Sequence, residues 1–446
     1  MHEDGTQTPS TAGGRHDPVA HGRRADALAA MRRANPALWA PVYGEFSRSR
    51  FDDRLAEVVA TLVRAGEAPD DVEARLASGI QHHVYDAYEA SDLDEEPASF
   101  AFVVPSRLTR SSADFAHEGD DLFPIAGLLD PVTKQLLWSS LCPMVLDRYH
   151  AADGRSGVML ACPLTADIMA DLPLEDAFRT ARRMVIDTVA FAARRFGAPV
   201  VGLGAILPKL TDFGRAAALP GVAVTSGHGG TCWLVLETVR GLGADLDDVG
   251  VLGAGAIGTA VLHGLLDTPG VGTVHVHDHD RRRAAELEAR YADLGRVRVV
   301  PSVGELLSRA SVTVSATTSP VDLDDHDVDI EGRWIVDDSQ PACFDADQVE
   351  ARGGRVCWVV GQDGSLGSTA TRRGHWGRPF DYGGLGTAAP HHLWGCEAEA
   401  HAIASVGKAG DRVDEPVRPH HVERIGELCR AAGTTVAPPQ RWGRLI

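Results

Sequence analysis

No apolar run in the chain approaches the roughly 18 consecutive residues that suggest a membrane-spanning helix, so no bilayer-crossing segment is expected. The opening residues, MHEDGTQTPSTAGGRHDPVAHGRR, are polar and glycine-rich. They lack the apolar core of about 7 to 15 residues that a secretory signal carries, and they predict a disordered tail over residues 1–24 of a cytoplasmic protein. There is no C-x-x-C pair. The seven cysteines (Cys142, Cys162, Cys232, Cys343, Cys357, Cys396 and Cys429) are odd in number and widely spread. That distribution argues against a disulfide framework and against a zinc site, leaving reduced thiols and no metal as the expectation. Positive charge is scarce as well: a formal net charge of -19 argues against a nucleic-acid partner, which would need clustered Lys and Arg.

What remains is the composition of an ordinary soluble globular protein, 44% hydrophobic and 24% charged over 446 residues, long enough for two or three domains. The most informative stretch is Asp248 to Leu266, DVGVLGAGAIGTAVLHGLL. Val249, Val251 and Leu252 form the short apolar run of a parallel strand covered on both faces, and Gly253, Gly255 and Gly258 follow with G-x-G-x-x-G spacing. The first glycine suits the tight turn, the second the approach of a pyrophosphate, and the third the packing of the next helix on the strand. That helix opens at Ala256 and Ile257 with free N–H groups toward the phosphates. A second strand, with Val271, Val274 and Val276, ends at Asp278, about 20 residues after the last glycine, where a carboxylate would bind ribose hydroxyls and favour NAD.

Around this stretch the apolar pattern alternates between strand and helix. Helices are expected around Leu55 to Val63 and Val72 to Val84. Apolar segments follow at Phe100 to Val104, Gly157 to Ala161 and Pro199 to Leu207, with a helix at Leu174 to Phe196. The segment TSGHGGTCWLVLETVR (225–240) reads as a turn and a helix. Beyond Asp278 come a charged helix to Tyr291, a strand at Val297 to Val300, a short helix near Glu305 and strands at Val312 to Ala316, Trp334 to Val336 and Val356 to Val360. The expected fold is α/β: a Rossmann-type doubly wound parallel sheet over 226–385, an α/β substrate domain over 99–225, a helical extension over 25–98 and C-terminal helices over 386–446. The turns SATTSP, with Ala316 and Thr317, and DDSQPA lie at carboxyl ends of strands and are candidates to line a nicotinamide pocket. Arg182, Arg183, Arg194 and Arg195 form either a solvated face or a docking patch.

Several of these motifs together resemble the cyanobacterial-type long-chain acyl-[acyl-carrier-protein] reductases, whose architecture is distantly shared with glutamyl-tRNA reductase and shikimate dehydrogenase. VVGLGAILPKLTDFG is similar to the family's glycine-rich strand and turn. TSGHGGTCW looks like its T-T-G-N-x-x-T turn through Thr225, Gly227 and Thr231, and IVDDSQP matches I-D-G-G-x-P through Asp337 and Pro341. LWGCEAEA matches the reactive-cysteine helix through Cys396, Glu399 and Ala400. The resemblance spans about Phe100 to Pro438. It implies reduction of an acyl thioester of acyl-carrier protein or CoA to an aldehyde with NAD(P)H, through an acyl group held on Cys396, and a downstream enzyme that uses the aldehyde. The family favours NADPH, whereas Asp278 stands where its members carry a neutral residue.

The chemistry needs a thiolate, a group to hold the acyl oxygen and hydride beside the acyl carbon. Cys396 near a helix start is expected to have its thiol pKa lowered by the dipole, with Glu399 one turn later. The TSGHGGTCW turn would offer backbone N–H groups or the Thr225 hydroxyl to the acyl oxygen, or else its glycines serve only the turn. His391, His392 and His401 read better as surface or structural polarity. Two other readings stand beside thioester reduction: a dehydrogenase of a free small molecule in which Cys396 is structural, and a nucleotide-binding redox sensor without turnover. Oligomeric state is not legible.

Overall fold

The computed structural model describes residues 97–105, 143–151, 154–162, 164, 174–317, 319–339, 342–368, 392–441 and 444–446. The chain divides into two compact units, residues 1–88 with 118–142 and residues 89–117 with 143–446, and every described residue belongs to the second. The expected tail, the two N-terminal helices, His391 and Pro341 therefore lie outside the described residues.

In chain order the elements are β1 (Phe100–Pro105), β2 (Met144–Ala151), β3 (Ser156–Cys162), α1 (Leu174–Phe196), β4 (Val200–Leu203), α2 (Leu207–Leu210), β5 (Ala223–Thr225), α3 (His228–Gly241), β6 (Asp248–Leu252) and α4 (Ala256–Leu266). They continue with β7 (Thr273–His277), α5 (Arg281–Arg290), β8 (Val297–Val299), α6 (Val303–Arg309), β9 (Val312–Ser315), β10 (Trp334–Asp337), α7 (Ala346–Ala351) and β11 (Arg355–Trp358). Next come β12 (Gly361–Gln362), β13 (Leu366–Ser368), β14 (His392–Leu393), α8 (Gly395–Ser405), α9 (Pro419–Ala432) and β15 (Thr435–Val436).

One sheet runs β11-β10-β9-β6-β7-β8 with every pair parallel. Counted from β6, that is the 3-2-1-4-5-6 order of a doubly wound dinucleotide-binding fold, and the order reverses between β6 and β9. The other sheet runs β13-β2-β3-β1-β4-β5, parallel through β3, β1, β4 and β5 and antiparallel at β2 and β13. The fold is thus α/β with a Rossmann-type sheet, as the alternating pattern suggests. β1 and β4 are apolar along their length because helices cover both faces of such a sheet, and both are buried almost throughout.

Helix α3 is hydrophobic nearly all round and buried from Gly229 to Leu236, as a helix inside a core must be. It packs against α4 and β10 on one side and against α8 and α9 on another, while α8 packs on β1 and β4. The pair α3 and α8 therefore joins the two sheets through one core that includes Phe102, Trp233, Leu234, Val251, Val314 and Ile403. Small residues permit the approach: a Cβ on Gly202 would lie 2.6 Å from the Ala400 Cβ, and one on Gly230 would overlap the Gly395 carbonyl. The expected strand over Pro199 to Leu207 stops at Leu203. There the backbone turns through Gly204 and Ala205, the latter at φ 49°, into α2 with its Pro208. β2 carries Asp147, Arg148 and His150 and so hides its strand character; its Arg148 is buried with the guanidinium 4.9 Å from the Phe196 ring centre.

Candidate active site

The glycine turn has the local geometry that its spacing suggests. Gly253, at φ 97°, lies where the sheet order reverses, and a Cβ there would sit 2.5 Å from the Ala316 carbonyl oxygen. Ala316 in turn donates its N–H to Leu252 at 2.8 Å, so β6 and β9 close against each other at this point. A Cβ on Gly258 would overlap the Gly253 carbonyl, which explains why helix and turn pack only with glycine there. Gly255 is different: nothing lies within 4 Å of the position a Cβ would take. It caps α4 without a side-chain hydrogen bond to the helix N-terminus, leaving the first N–H groups, at Ala256 and Ile257, facing the open side. The cradle fits a pyrophosphate. Thr317 continues from Ala316 at the same strand end, and its carbonyl accepts the Cys343 thiol at 3.1 Å.

Asp278 is buried, and it is tied into the turn. One oxygen accepts the Ala254 N–H at 2.6 Å and the other the Asp280 N–H at 2.7 Å. Arg283 and His279 stand 3.7 and 3.4 Å from the carboxylate. The acid thus fastens the end of β7 to the glycine turn, on the side where a ribose would lie.

Cys396 is the second residue of α8 and packs on the turn before α3, so that a Cβ on Gly227, at φ 74°, would run into its side chain. It is half-buried, whereas the other described cysteines (Cys162, Cys232, Cys343, Cys357 and Cys429) are buried. The expectation of a lowered thiol pKa fails. Burial pushes the thiol up, and the charges of Asp338, Glu397 and Glu399 push it further, outweighing the hydrogen bond from the Glu397 backbone.

Thr225 and Glu399 likewise have other duties than those expected. Both are fully buried, and the Thr225 hydroxyl donates to the Glu399 carboxylate while accepting the Val413 N–H at 2.9 Å. Glu399 also accepts the N–H of Gly227 at 3.2 Å and of Gly230 at 2.8 Å. A carboxylate from α8 is thus seated on the N-terminus of α3, where the free N–H groups and the dipole favour it. Burial nevertheless raises its pKa to about 7 against those donors. The Thr225 hydroxyl and those two N–H groups are engaged, so they are not the holders of an acyl oxygen.

The carboxyl end of β10 adds a pair of acids. Asp337 is buried and accepts the N–H of Ser339 at 2.9 Å, Cys343 at 2.8 Å and Phe344 at 3.3 Å, shaping the turn that DDSQPA begins. Ser339 and Ser315 join β10 to β9 through a 3.1 Å hydroxyl pair. Asp338 next to it is half-buried, and its backbone N–H reaches Ser315 at 3.4 Å. Its carboxyl is raised by burial and by Asp337. The sequence marked the turn and passed over this side chain; the doubled acid directly after an apolar strand was the available signal.

His401 is structural, as expected: buried, 3.2 Å from Asp363, with its ring centre 5.4 Å from that of Phe100 and tilted against it. Arg182 donates to the Leu210 carbonyl at 2.7 Å and Arg183 pairs with Asp187 at 2.9 Å, so these two basic residues of α1 are used within the chain. Among the described residues no helix is long and apolar enough to cross a membrane, and no group of three or more His, Cys, Asp or Glu is placed to hold a metal ion.

No protein-family model and no curated protein matches the sequence. Among solved structures, the chain is similar to Thermococcus litoralis Δ1-pyrroline-2-carboxylate reductase in complex with NADH and L-proline, at 20% identity and TM-score 0.23. That match covers 28% of this chain, which spans 39% of the reductase. It is also similar to L-tryptophan dehydrogenase from Nostoc punctiforme at 12% identity and TM-score 0.29, covering 75% of this chain and 89% of that one. Shikimate dehydrogenase from Aquifex aeolicus matches at 16% identity and TM-score 0.28, covering 58% and 86%. At such identities and scores none of these proteins' activities transfers to this chain.

Proposed function

We propose that the protein is an oxidoreductase that uses a nicotinamide dinucleotide to reduce an acyl thioester, carried on acyl-carrier protein or CoA, to an aldehyde through an acyl group on Cys396. The observation that carries this reading is the position of Cys396: half-buried among buried cysteines, against the Gly227 turn that opens α3. The same helix reaches the nucleotide turn, where the Cys232 thiol meets the Ile257 carbonyl at 3.8 Å. Gly253, Gly255, Gly258, Ala256 and Ile257 would hold the pyrophosphate and Asp278 the ribose side, with Ala316 and Thr317 beside the nicotinamide. When bound there, the reduced nicotinamide supplies a hydride. Cys396 takes the acyl group from its carrier, which frees the carrier thiol, and the glycine contacts between α3 and α8 hold the acylated thiol at the junction of the two sheets. An acidic carrier would approach the basic cluster of α1, Arg182, Arg183, Arg194 and Arg195.

The experiment is incubation with acyl thioester and reduced cofactor, followed by absorbance of the nicotinamide and trapping of aldehyde. Oxidation of the cofactor with aldehyde in equal amount is expected. A second reading, a dehydrogenase of a free small molecule, draws on the raised Cys396 thiol, which is protonated at rest. Turnover of an amino or hydroxy acid with a Cys396→Ala variant fully active would favour it.

A further inference from the structure

Cys396 and Glu399 stand one turn apart on α8, so their side chains leave the helix on the same face. That face meets the turn that opens α3 with backbone against backbone. A Cβ on Gly227 would run into the Cys396 Cβ and lie 2.6 Å from its Cα, and one on Gly395 would lie 2.6 Å from the Thr231 nitrogen. Glycine surfaces carry no side chains that could interlock, so close approach alone does not fix how far α8 is rotated or slid along α3. Glu399 supplies the fixed points. Its Oε1 accepts the Thr225 hydroxyl and the Gly227 N–H at 3.2 Å, and its Oε2 accepts the Gly230 N–H at 2.8 Å. Thr225 is anchored in turn: its hydroxyl accepts the Val413 N–H at 2.9 Å, and the neighbouring Ser226 N–H reaches the Val413 carbonyl at 2.8 Å. The N–H that Glu399 holds at Gly227 belongs to the residue on which Cys396 rests.

Resting on the thioester reading above, we propose that Glu399 is the positioning residue for Cys396: through Thr225, Gly227 and Gly230 it sets the rotation and depth of the first turn of α8, and so the place of the sulfur relative to the acyl carbon. The step it serves is thioester exchange. The Cys396 C–S bond forms as the carrier C–S bond breaks, and the thiol proton ends on the departing carrier sulfur; Glu399 gains and loses nothing. Attack on a thioester needs the sulfur about 3 to 3.5 Å from the carbonyl carbon and aligned with it, and a misplacement of about 1 Å costs on the order of 100-fold in rate. A carboxylate that spans both helices holds that tolerance better than glycine contacts do. Stability does not account for its presence, since burial raises the carboxyl to about 7 and ionising it therefore costs stability.

The test uses the full chain without cofactor and compares wild type with Glu399→Gln, Thr225→Val and Thr225→Ser. Acylation of Cys396 by acyl-CoA esters, from acetyl-CoA to palmitoyl-CoA, is followed by intact mass, and the maximal rate is separated from the half-saturating concentration. Alkylation by iodoacetamide, a small reagent that needs no alignment, is measured alongside. Glu399→Gln turns an amide NH2 toward an N–H donor, and Thr225→Val removes the hydroxyl, so both should lower the maximal acylation rate by about 10- to 100-fold. The half-saturating concentration should stay near that of wild type. Alkylation should be no slower in Thr225→Val and somewhat faster in Glu399→Gln, where loss of an anion eases thiol ionisation. Thr225→Ser keeps the hydroxyl and should acylate at close to the wild-type rate. A folded Glu399→Gln that acylates like wild type overturns the proposal, because the clasp then serves packing alone. Acylation and alkylation falling together overturn it as well, since the thiol is then lost rather than misaligned. If Glu399→Gln does not fold, the two Thr225 variants decide, and equal rates in Val and Ser count against the proposal. If none of the esters acylates wild type, the thioester reading itself fails and the positioning role falls with it.

Discussion

The Thr225 hydroxyl donates to the Glu399 carboxylate across 174 positions of sequence, and this bond seats a buried acid on the N-terminus of α3. Its environment gives it an unusual titration with a definite sign. In the unfolded chain the carboxyl titrates at 4.5, and in the fold burial raises it to about 7. Below both values it is protonated in both states and contributes no pH dependence. As pH rises through the window the unfolded chain ionises first, so stability is lost. The gap between the two values corresponds to about 3 kcal/mol lost between these limits. Urea unfolding at about pH 5 and pH 7.5 should show wild type losing more stability than Glu399→Gln, with the difference confined to that window. A variant with the same slope as wild type would mean that Glu399 titrates normally.

The glycine turn yields a prediction in which stability and affinity separate. At Gly258 a Cβ meets the Gly253 carbonyl, whereas at Gly255 it meets nothing within 4 Å. Gly258→Ala should therefore lower stability, by about 1 to 3 kcal/mol or more, through overpacking. Gly255→Ala should leave the melting temperature within about a degree of wild type and weaken dinucleotide binding about tenfold or more, about 1.4 kcal/mol, because the methyl group enters the space offered to the pyrophosphate. Thermal melts and a titration of nicotinamide fluorescence read the two effects. Equal melting losses in both variants would place protein, not ligand, at Gly255.

Cofactor choice should follow Asp278. Its carboxylate is held at the turn by the Ala254 and Asp280 N–H groups, where it repels a 2′-phosphate and suits a 2′-hydroxyl. NADH is expected to serve at least as well as NADPH. Asp278→Asn retains an amide oxygen for one N–H and removes the charge, so the ratio of kcat/KM for NADPH over NADH should rise by about tenfold. A wild-type preference for NADPH would show that Arg281, Arg282 and Arg283 govern the site instead.

The sequence made the dinucleotide sheet legible because its signals are local. Three glycines at fixed spacing, apolar runs of four or five residues and an acid after β7 each act within a single strand-turn-helix unit, and the described elements fall within a few residues of them. The candidate site was legible only as a roster. Cys396 and Thr225 were marked, but what they do depends on Glu399, Val413 and Asp338, which are brought to them by packing between α3, α8 and β10. Thr225 shows why: a hydroxyl in a glycine-rich turn looks available until an acid from the far end of the chain takes it. Cys396 shows the same dependence on packing: a helix start promised a low thiol pKa, and burial, with three nearby carboxylates, reversed it.

That reversal shapes the last prediction, which concerns selectivity among thiols. Cys396 is half-buried and the other described cysteines are buried, so access alone should make it the first to react among them. Burial also raises the thiols of Cys162 and Cys357 to about 12 and Cys343 to about 11, and it raises Cys396 as well, so ionisation does not single out Cys396 and access decides among these thiols. Because the Cys396 thiol is itself raised, its thiolate fraction is small at pH 7 and grows about tenfold per pH unit, and iodoacetamide labelling should follow that slope. Peptide mapping after brief exposure to acyl thioester without cofactor should find the acyl mass on the peptide containing Cys396. Cys396→Ala should lose both that adduct and aldehyde formation while its dinucleotide affinity stays within about twofold of wild type, since the glycine turn is left intact. An adduct that maps instead to Cys232 or Cys343, or an alanine variant that still forms aldehyde, would move the chemistry away from the Gly227 turn and leave Cys396 as packing between the helices.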